Sequence, residues 1–159
     1  MIDPARPDET PKQRADRELL ELLNELRVVL PGITVLFAFL LAVPFAKGWT
    51  QVTGFERDVF IIAVLANGVA IACLNAPPSY HRLRFHHGEK ERLVVVGNRL
   101  AIAGIAAFAI ALVAVILLVV TYVVSLAAGI AAAVVVGGFL FGLWYGLPLW
   151  AALKARRAR

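Results

Sequence analysis

The sequence predicts an all-α polytopic membrane protein, with four transmembrane helices in a bundle and an amphipathic cytoplasmic helix before them. Of its 159 residues, 60% are hydrophobic and 17% are charged, and the mean hydropathy is +0.78. Soluble domains average about 45–50% apolar and about 25% charged residues. Every charged residue lies outside three uncharged runs of 19, 23 and 54 residues, which are 28–46, 59–81 and 100–153. This distribution argues against a soluble enzyme, a nucleic-acid-binding protein and a disordered chain.

The lengths of the uncharged runs predict the number of spans. About 20 helical residues cross the hydrocarbon core of a bilayer, so an uncharged stretch of about 18 or more is a candidate span. The first two runs each hold one span, and the third holds two with a turn between them. We therefore expect spans at 28–45, 59–76, 100–120 and 126–150. The turn, 121–125, is polar only at its ends, Thr121 and Ser125.

The basic residues predict the orientation, because cytoplasmic loops are enriched in lysine and arginine. With four spans, 14 of the 16 basic residues lie in the two terminal segments and the loop between spans two and three. The two others, Lys47 and Arg57, lie in the first outer loop. Both termini, including the basic tail 154–159, are therefore predicted to be cytoplasmic in the cell membrane. The net charge of +5 then favours contact with anionic lipid headgroups rather than with nucleic acid.

The N-terminal segment divides into a disordered arm, 1–9, and an amphipathic cytoplasmic helix, 10–27. Thr10 and Gln13 have the spacing of a capping box at the helix start. Leucines recur at helical spacing, and two opposite-charge pairs lie four residues apart on the other face, at Arg14–Glu18 and Arg17–Glu21. Whether the leucines contact lipid headgroups or another protein remains open.

Prolines predict the helix breaks. Pro31 should kink the first helix where it enters the membrane, and Pro44 should end the first span. Pro77 and Pro78 should end the second span, and Ser79 should cap a short helix over 80–87. The segment 89–99 is expected to extend span three, although its apolar centre also permits a short strand.

Small residues spaced four apart predict close helix packing within spans three and four. One row runs along span three, and two rows run along span four. They are Ala103, Ala107 and Ala111; Gly138, Gly142 and Gly146; and Gly129, Ala133 and Gly137. The pattern fits a contact between the two spans of one chain as well as a contact between copies of the chain.

Few residues offer chemistry. Asn67 is a polar residue near the middle of span two, where it can bond to a neighbouring helix or coordinate an ion or substrate. Three histidines, His81, His86 and His87, have no acidic or cysteine ligand at a recognised spacing, so no metal and no cofactor is predicted. No catalytic motif is present, and we expect no enzyme.

Several short motifs point to a family. They are the segments 22–28, 36–40 and 44–45, Ala76-Pro77, His81-Arg82 with Phe85, and Asn98-Arg99. With them, 19–151 resembles an uncharacterised bacterial family of small four-span membrane proteins, catalogued as a domain of unknown function and often labelled sodium:proton antiporter. The resemblance implies signature positions at Glu25, Arg27, Pro44, Pro77, His81, Arg82, Asn98 and Arg99. It also implies a polar network of Glu25, Arg27, Arg82 and Arg99 at the cytoplasmic face.

Three functional hypotheses follow. The leading one is a non-enzymatic structural or interaction component of the membrane that forms a homo-oligomer or binds a membrane-protein partner. The alternative is a secondary transporter or an ion-conducting oligomer, such as a cation:proton antiporter. A haem or quinone redox subunit is the third.

Overall fold

The chain forms four long helices, and no strand occurs in the part of the chain that is described. A computed structural model describes residues 10–83 and 90–146, together with Trp150 and Lys154. Within these ranges, the side chains of 11, 12, 15, 16, 19, 78–83 and 90–94 are not described. The helices are α1 (Pro11–Ala42), α2 (Gly54–Leu83), α3 (Lys90–Val123) and α4 (Leu126–Phe141). The predicted arm 1–9, the histidines at 86 and 87 and the residues 155–159 lie outside the described residues.

All four helices are long and apolar enough to cross a membrane. The candidate spans are Leu20–Phe45, Gly54–Pro77, Val95–Val123 and Leu126–Gly146. Each matches one of the four predicted spans, and the all-α fold class is confirmed. The first three begin five to eight residues earlier than the apolar runs alone predicted, because the helical backbone continues into the charged flanks.

Helix α1 begins as predicted and is longer than expected. The backbone nitrogen of Thr10 donates to Gln13 Oε1 at 2.9 Å, and the Gln13 nitrogen donates to Thr10 Oγ1 at 3.4 Å, so the capping box is present. Both predicted ion pairs form, at 2.9 Å for Arg14–Glu18 and 3.1 Å for Arg17–Glu21. The helix then continues through Pro31 to Ala42 without interruption. Residues 10–27 are thus not a separate helix, and their cytoplasmic location stays a prediction.

Pro44 ends α1 as predicted, whereas Pro77 does not end α2. After Ala42 the chain forms two short 3₁₀ turns, Val43–Phe45 and Lys47–Gln51. The second candidate span does end at Pro77, as predicted, but helix α2 runs on through Pro77 and Pro78 to Leu83, so the separate short helix capped by Ser79 was wrong. The Pro77 ring is fully buried, and a Cβ added to Gly97 of α3 would lie 3.4 Å from its Cβ. Packing against a neighbouring helix can compensate for the backbone hydrogen bond that proline removes.

Helix α3 includes 90–99, so the alternative of a short strand there was wrong. Only Val124 and Ser125 separate α3 from α4, and the Ser125 hydroxyl caps α4 by accepting from the Ala128 nitrogen at 3.3 Å. Helix α4 continues into a π-helical turn, Gly142–Gly146.

The contacts divide the chain into two compact units. One contains the described residues up to Phe39 and Asn67–Ala107, and the other contains Leu40–Ala66 and the described residues from Phe108 onward. In the first unit, Ile33 and Leu74 are completely buried, and a Cβ added to Gly104 would lie 2.7 Å from Leu74 Cγ. The core of the second unit is formed by Leu40, Val59, Phe60, Ala63, Ala111, Ala114 and Ala133.

Candidate functional site

Asn67 is the polar residue that sequence reasoning singled out, and it is completely buried. It lies on α2 with fully buried alanines about one turn away on either side, Ala63 and Ala70, neither of which offers a side-chain donor or acceptor. Within the described residues, neither Asn67 Oδ1 nor Asn67 Nδ2 has a hydrogen-bond partner. A buried amide left unpaired costs about 1–3 kcal/mol, so this position calls for an explanation. Its oxygen can accept from water or coordinate a cation, and its NH₂ group can donate twice.

Four of the polar signature residues, those whose side chains are described, lie on the surface. Glu25, Arg27, Asn98 and Arg99 are all exposed. Among the described side chains, Arg14 pairs with Glu18 and Arg17 with Glu21, and no ion pair between described side chains involves Glu25, Arg27 or Arg99. His81 and Arg82 lie on α2, but their side chains fall outside the described set. The implied polar network therefore stays a prediction.

The glycine row Gly129, Ala133 and Gly137 on α4 makes the close contact between α3 and α4 in the second unit. Gly129 and Ala133 are buried. A Cβ on Gly129 would lie 3.0 Å from both Leu117 O and Thr121 N, and a Cβ on Gly137 would lie 3.4 Å from Val113 Cγ2. Close helix packing is thus present in this hairpin.

The second glycine row of α4 does not contact α3 in the described structure. Gly138 and Gly142 are exposed, and a Cβ on either would meet nothing within 4 Å in the described structure. Gly146, the third member, is half-buried, and its nearest neighbour is Phe141 O of the same turn at 3.7 Å. This row is therefore an unpartnered small-residue face, which we call the α4 glycine face (Gly138, Gly142 and Gly146).

The alanine row of α3 does not form one packed face. Ala103 is exposed, Ala107 is half-buried and Ala111 is completely buried. Close contact within the first unit is made by the adjacent Gly104, whose Cβ would collide with Leu74 and approach Cys73 Cβ at 3.2 Å. The predicted row begins at Ala103, whereas the residue in close contact is its neighbour Gly104.

Sequence reasoning missed the role of Glu56, which is a buried acidic side chain near the start of α2. Its Oε2 accepts from both the backbone nitrogen and the hydroxyl of Thr53 at 2.8 Å, and its own nitrogen donates to Thr53 Oγ1 at 3.3 Å. This is a capping box, and the signal was the Thr-x-x-Glu spacing of Thr53 and Glu56. Among the described side chains, no group of three His, Cys, Asp or Glu is arranged to hold a metal ion.

Four apolar helices, each long enough to span a bilayer, define a multi-pass helical membrane protein. The chain belongs to the family of unknown function DUF6328, whose model matches residues 8–148. The family resemblance seen in the sequence is thereby confirmed. No curated protein matches the chain, and no solved structure matches it.

Proposed function

We propose that this protein is a non-enzymatic component of the cytoplasmic membrane that acts through helix contacts in the bilayer, and that it assembles with further copies of itself. The α4 glycine face is the observation that carries this proposal. Its glycines are exposed at Gly138 and Gly142 and have open space around them in the described structure.

Lipid tails are as apolar as leucine, so helices in a bilayer associate through close packing rather than through a hydrophobic driving force. A surface of glycines lets another backbone approach closely, and the exposed ring of Phe139 lies beside it on the same helix. The face consists of small residues, so the same patch on two copies can pack together across a two-fold axis. A second copy of the chain is the occupant that this symmetry favours.

The same membrane location brings the basic cytoplasmic segments close to lipid headgroups. Fourteen basic residues lie in segments that the predicted topology places on that side. Anionic lipid is accordingly the second partner that we propose.

The test compares oligomeric states in a mild detergent by native mass spectrometry. We expect the unmodified protein to be multimeric and the double variant Gly138→Leu, Gly142→Leu to be monomeric. The matched control is Gly32→Leu, because Gly32 is also an exposed helical glycine with nothing within 4 Å of its Cβ position. A monomeric unmodified protein, or a double variant that remains multimeric, would contradict the proposal.

A second candidate function, cation:proton exchange or ion conduction, is favoured by the unpaired buried amide of Asn67. An amide oxygen inside a span can coordinate a cation in transit. In proteoliposomes, this function predicts cation flux driven by a pH gradient and reduced by Asn67→Leu and by Glu25→Gln. Asn24→Leu is the matched control, because Asn24 is exposed on α1. Absence of flux for several cations across a range of pH values would remove this candidate.

A further inference from the structure

A cavity of about 300 Å³ lies in the second unit, between the two 3₁₀ turns and the C-terminal end of α3. Aliphatic side chains such as Val43 and Val119 line it together with two aromatic rings, those of Trp49 and Tyr122. The cavity is thus lined almost entirely by apolar side chains. Its size is at the lower end of the range of small-molecule sites, which are about 300–1,000 Å³.

Contacts within the unit hold the two aromatic walls in place. The Trp49 ring meets the buried Phe60 ring edge to face, with centroids 4.7 Å apart and an interplanar angle of 67°. The hydroxyl of Tyr122 lies against Gly48, where an added Cβ would come within 2.7 Å of it. The absence of a side chain at Gly48 is what admits the tyrosine. Contacts within the protein thus position both aromatic walls of the cavity.

The lining indicates what kind of molecule fits. A stable water needs two to four polar partners, whereas the lining side chains offer only the Tyr122 hydroxyl and the Trp49 indole nitrogen. An empty apolar cavity loses dispersion contacts with every wall atom that faces it. A hydrocarbon chain restores those contacts without requiring hydrogen bonds.

The position of the cavity indicates what group the hydrocarbon chain should carry at its polar end. Its lining includes Val43 and Tyr122, which lie at the ends of the candidate spans Leu20–Phe45 and Val95–Val123. Hydrocarbon gives way to headgroups at such a level, and tryptophan and tyrosine concentrate there. Lys47 is exposed and lies in sequence between two lining residues, Ala46 and Gly48, so its flexible side chain can bring an ammonium group to the cavity.

We propose that this cavity binds a single-chain anionic amphiphile, a fatty carboxylate, with its hydrocarbon chain between Trp49 and Tyr122 and its carboxylate beside Lys47. The chain is recognised by shape and dispersion, and the head is recognised by charge. This inference is independent of the helix contacts proposed above.

Trp49 provides a direct readout, because it is one of only three tryptophans in the chain. The variant Trp144→Phe, Trp150→Phe keeps Trp49 alone and is placed in nanodiscs of saturated phosphatidylcholine. Brominated undecanoate, whose bromine quenches indole fluorescence on contact, is then titrated in. We expect saturable quenching of Trp49. The matched protein Trp49→Phe, Trp144→Phe, which keeps Trp150, should show only unsaturable quenching from probe dissolved in the bilayer.

Two further variants separate recognition of the chain from recognition of the head. Ala46→Phe fills the cavity and should weaken binding about tenfold, whereas Val124→Phe, at an exposed position outside the lining, should not change it. Lys47→Gln should weaken binding of brominated undecanoate about threefold, as expected for an exposed ion pair, and leave brominated undecanol unaffected.

The proposal is overturned if quenching of Trp49 does not saturate or if Ala46→Phe binds as well as the parent protein. A second control uses phosphatidylcholine with brominated acyl chains. If this lipid quenches Trp49 fully and added undecanoate does not relieve the quenching, a bilayer lipid occupies the cavity and the proposal is overturned. Equal binding of undecanol and undecanoate, unchanged by Lys47→Gln, would contradict recognition of the carboxylate.

Discussion

Leu74 of α2 packs directly onto Gly104 of α3, so that a Cβ at position 104 would lie 2.7 Å from Leu74 Cγ and 2.9 Å from Leu74 Cδ2. Leu74 is completely buried and its side chain cannot move away into lipid. Glycine at 104 is thus required by the contact between these two helices within the first unit.

We expect Gly104→Ala to destabilise the protein by about 1–3 kcal/mol through overpacking, offset in part by the higher helix propensity of alanine. The midpoint of thermal unfolding in detergent, followed by circular dichroism, measures this change. Gly32→Ala is the matched control, since a Cβ at this exposed helical glycine meets nothing within 4 Å, and its midpoint should be unchanged or higher. Equal midpoints for the two variants would show that the Leu74 contact is not tight.

A larger loss is expected for Gly129→Ala, because here the obstacle is backbone. The new Cβ would lie 3.0 Å from Leu117 O and from Thr121 N, and it would also collide with the Thr121 hydroxyl. Since a helix backbone cannot move without breaking its own hydrogen bonds, we expect a cost of about 3 kcal/mol, at the upper end of overpacking losses. In the same melting experiment, Gly137→Ala should hardly change the midpoint, because its new Cβ would lie at an ordinary van der Waals distance from Val113 Cγ2.

The capping box at the start of α2 should contribute measurable stability. Glu56→Ala removes the acceptor for both Thr53 donors, and Thr53→Ala removes the side chain that caps the Glu56 nitrogen. Each change should cost about 0.5–2 kcal/mol, and a double-mutant cycle should show that the two losses are not additive. Asp58→Ala, at an exposed position, is the control and should have little effect. Fully additive losses would mean that the two residues act separately.

Asn67→Leu tests whether the buried amide is unpaired in the membrane as well. Leucine has the same branched side-chain skeleton and replaces two buried polar atoms with methyl groups, so the unfolding midpoint should rise, equivalent to about 1–3 kcal/mol. Asn24→Leu, which alters an exposed amide, should leave it unchanged. A fall in the midpoint of Asn67→Leu would instead show that a water, an ion or a polar ligand pairs with this side chain.

The predicted orientation can be tested by cysteine labelling in a Cys73→Ala background, because Cys73 is the single cysteine of the chain. A membrane-impermeant maleimide added to intact cells should label Thr50→Cys and Val124→Cys. It should label Gln13→Cys and Lys154→Cys only after lysis, because the basic segments stay inside. All four positions are exposed in the structure. Labelling of Lys154→Cys in intact cells would reverse the assigned topology.

Local patterns along the chain proved sufficient for part of the fold. The Thr10–Gln13 cap and the Arg14–Glu18 pair depend only on residues three or four positions apart, and both formed as predicted. The four spans follow in the same way from uninterrupted apolar length. These features need no knowledge of what lies on the far side of a helix.

Features that depend on tertiary contacts could not be predicted. Gly137 and Gly138 are the same residue type, and they differ only in the direction that each faces, because adjacent positions on a helix point about 100° apart. Either glycine row of α4 could therefore have faced α3, and the row containing Gly137 does so. Likewise, no residue close to Pro77 in sequence indicates that α2 continues through it. The burial of Pro77 beside Gly97 depends on a different helix, α3.

The two-residue connection at Val124–Ser125 also constrains how the protein is made. A two-residue link keeps the end of α3 and the start of α4 close together. We therefore do not expect one of these helices to span the bilayer while the other remains outside it. We expect instead that the 54 uncharged residues 100–153 insert as a single helical hairpin.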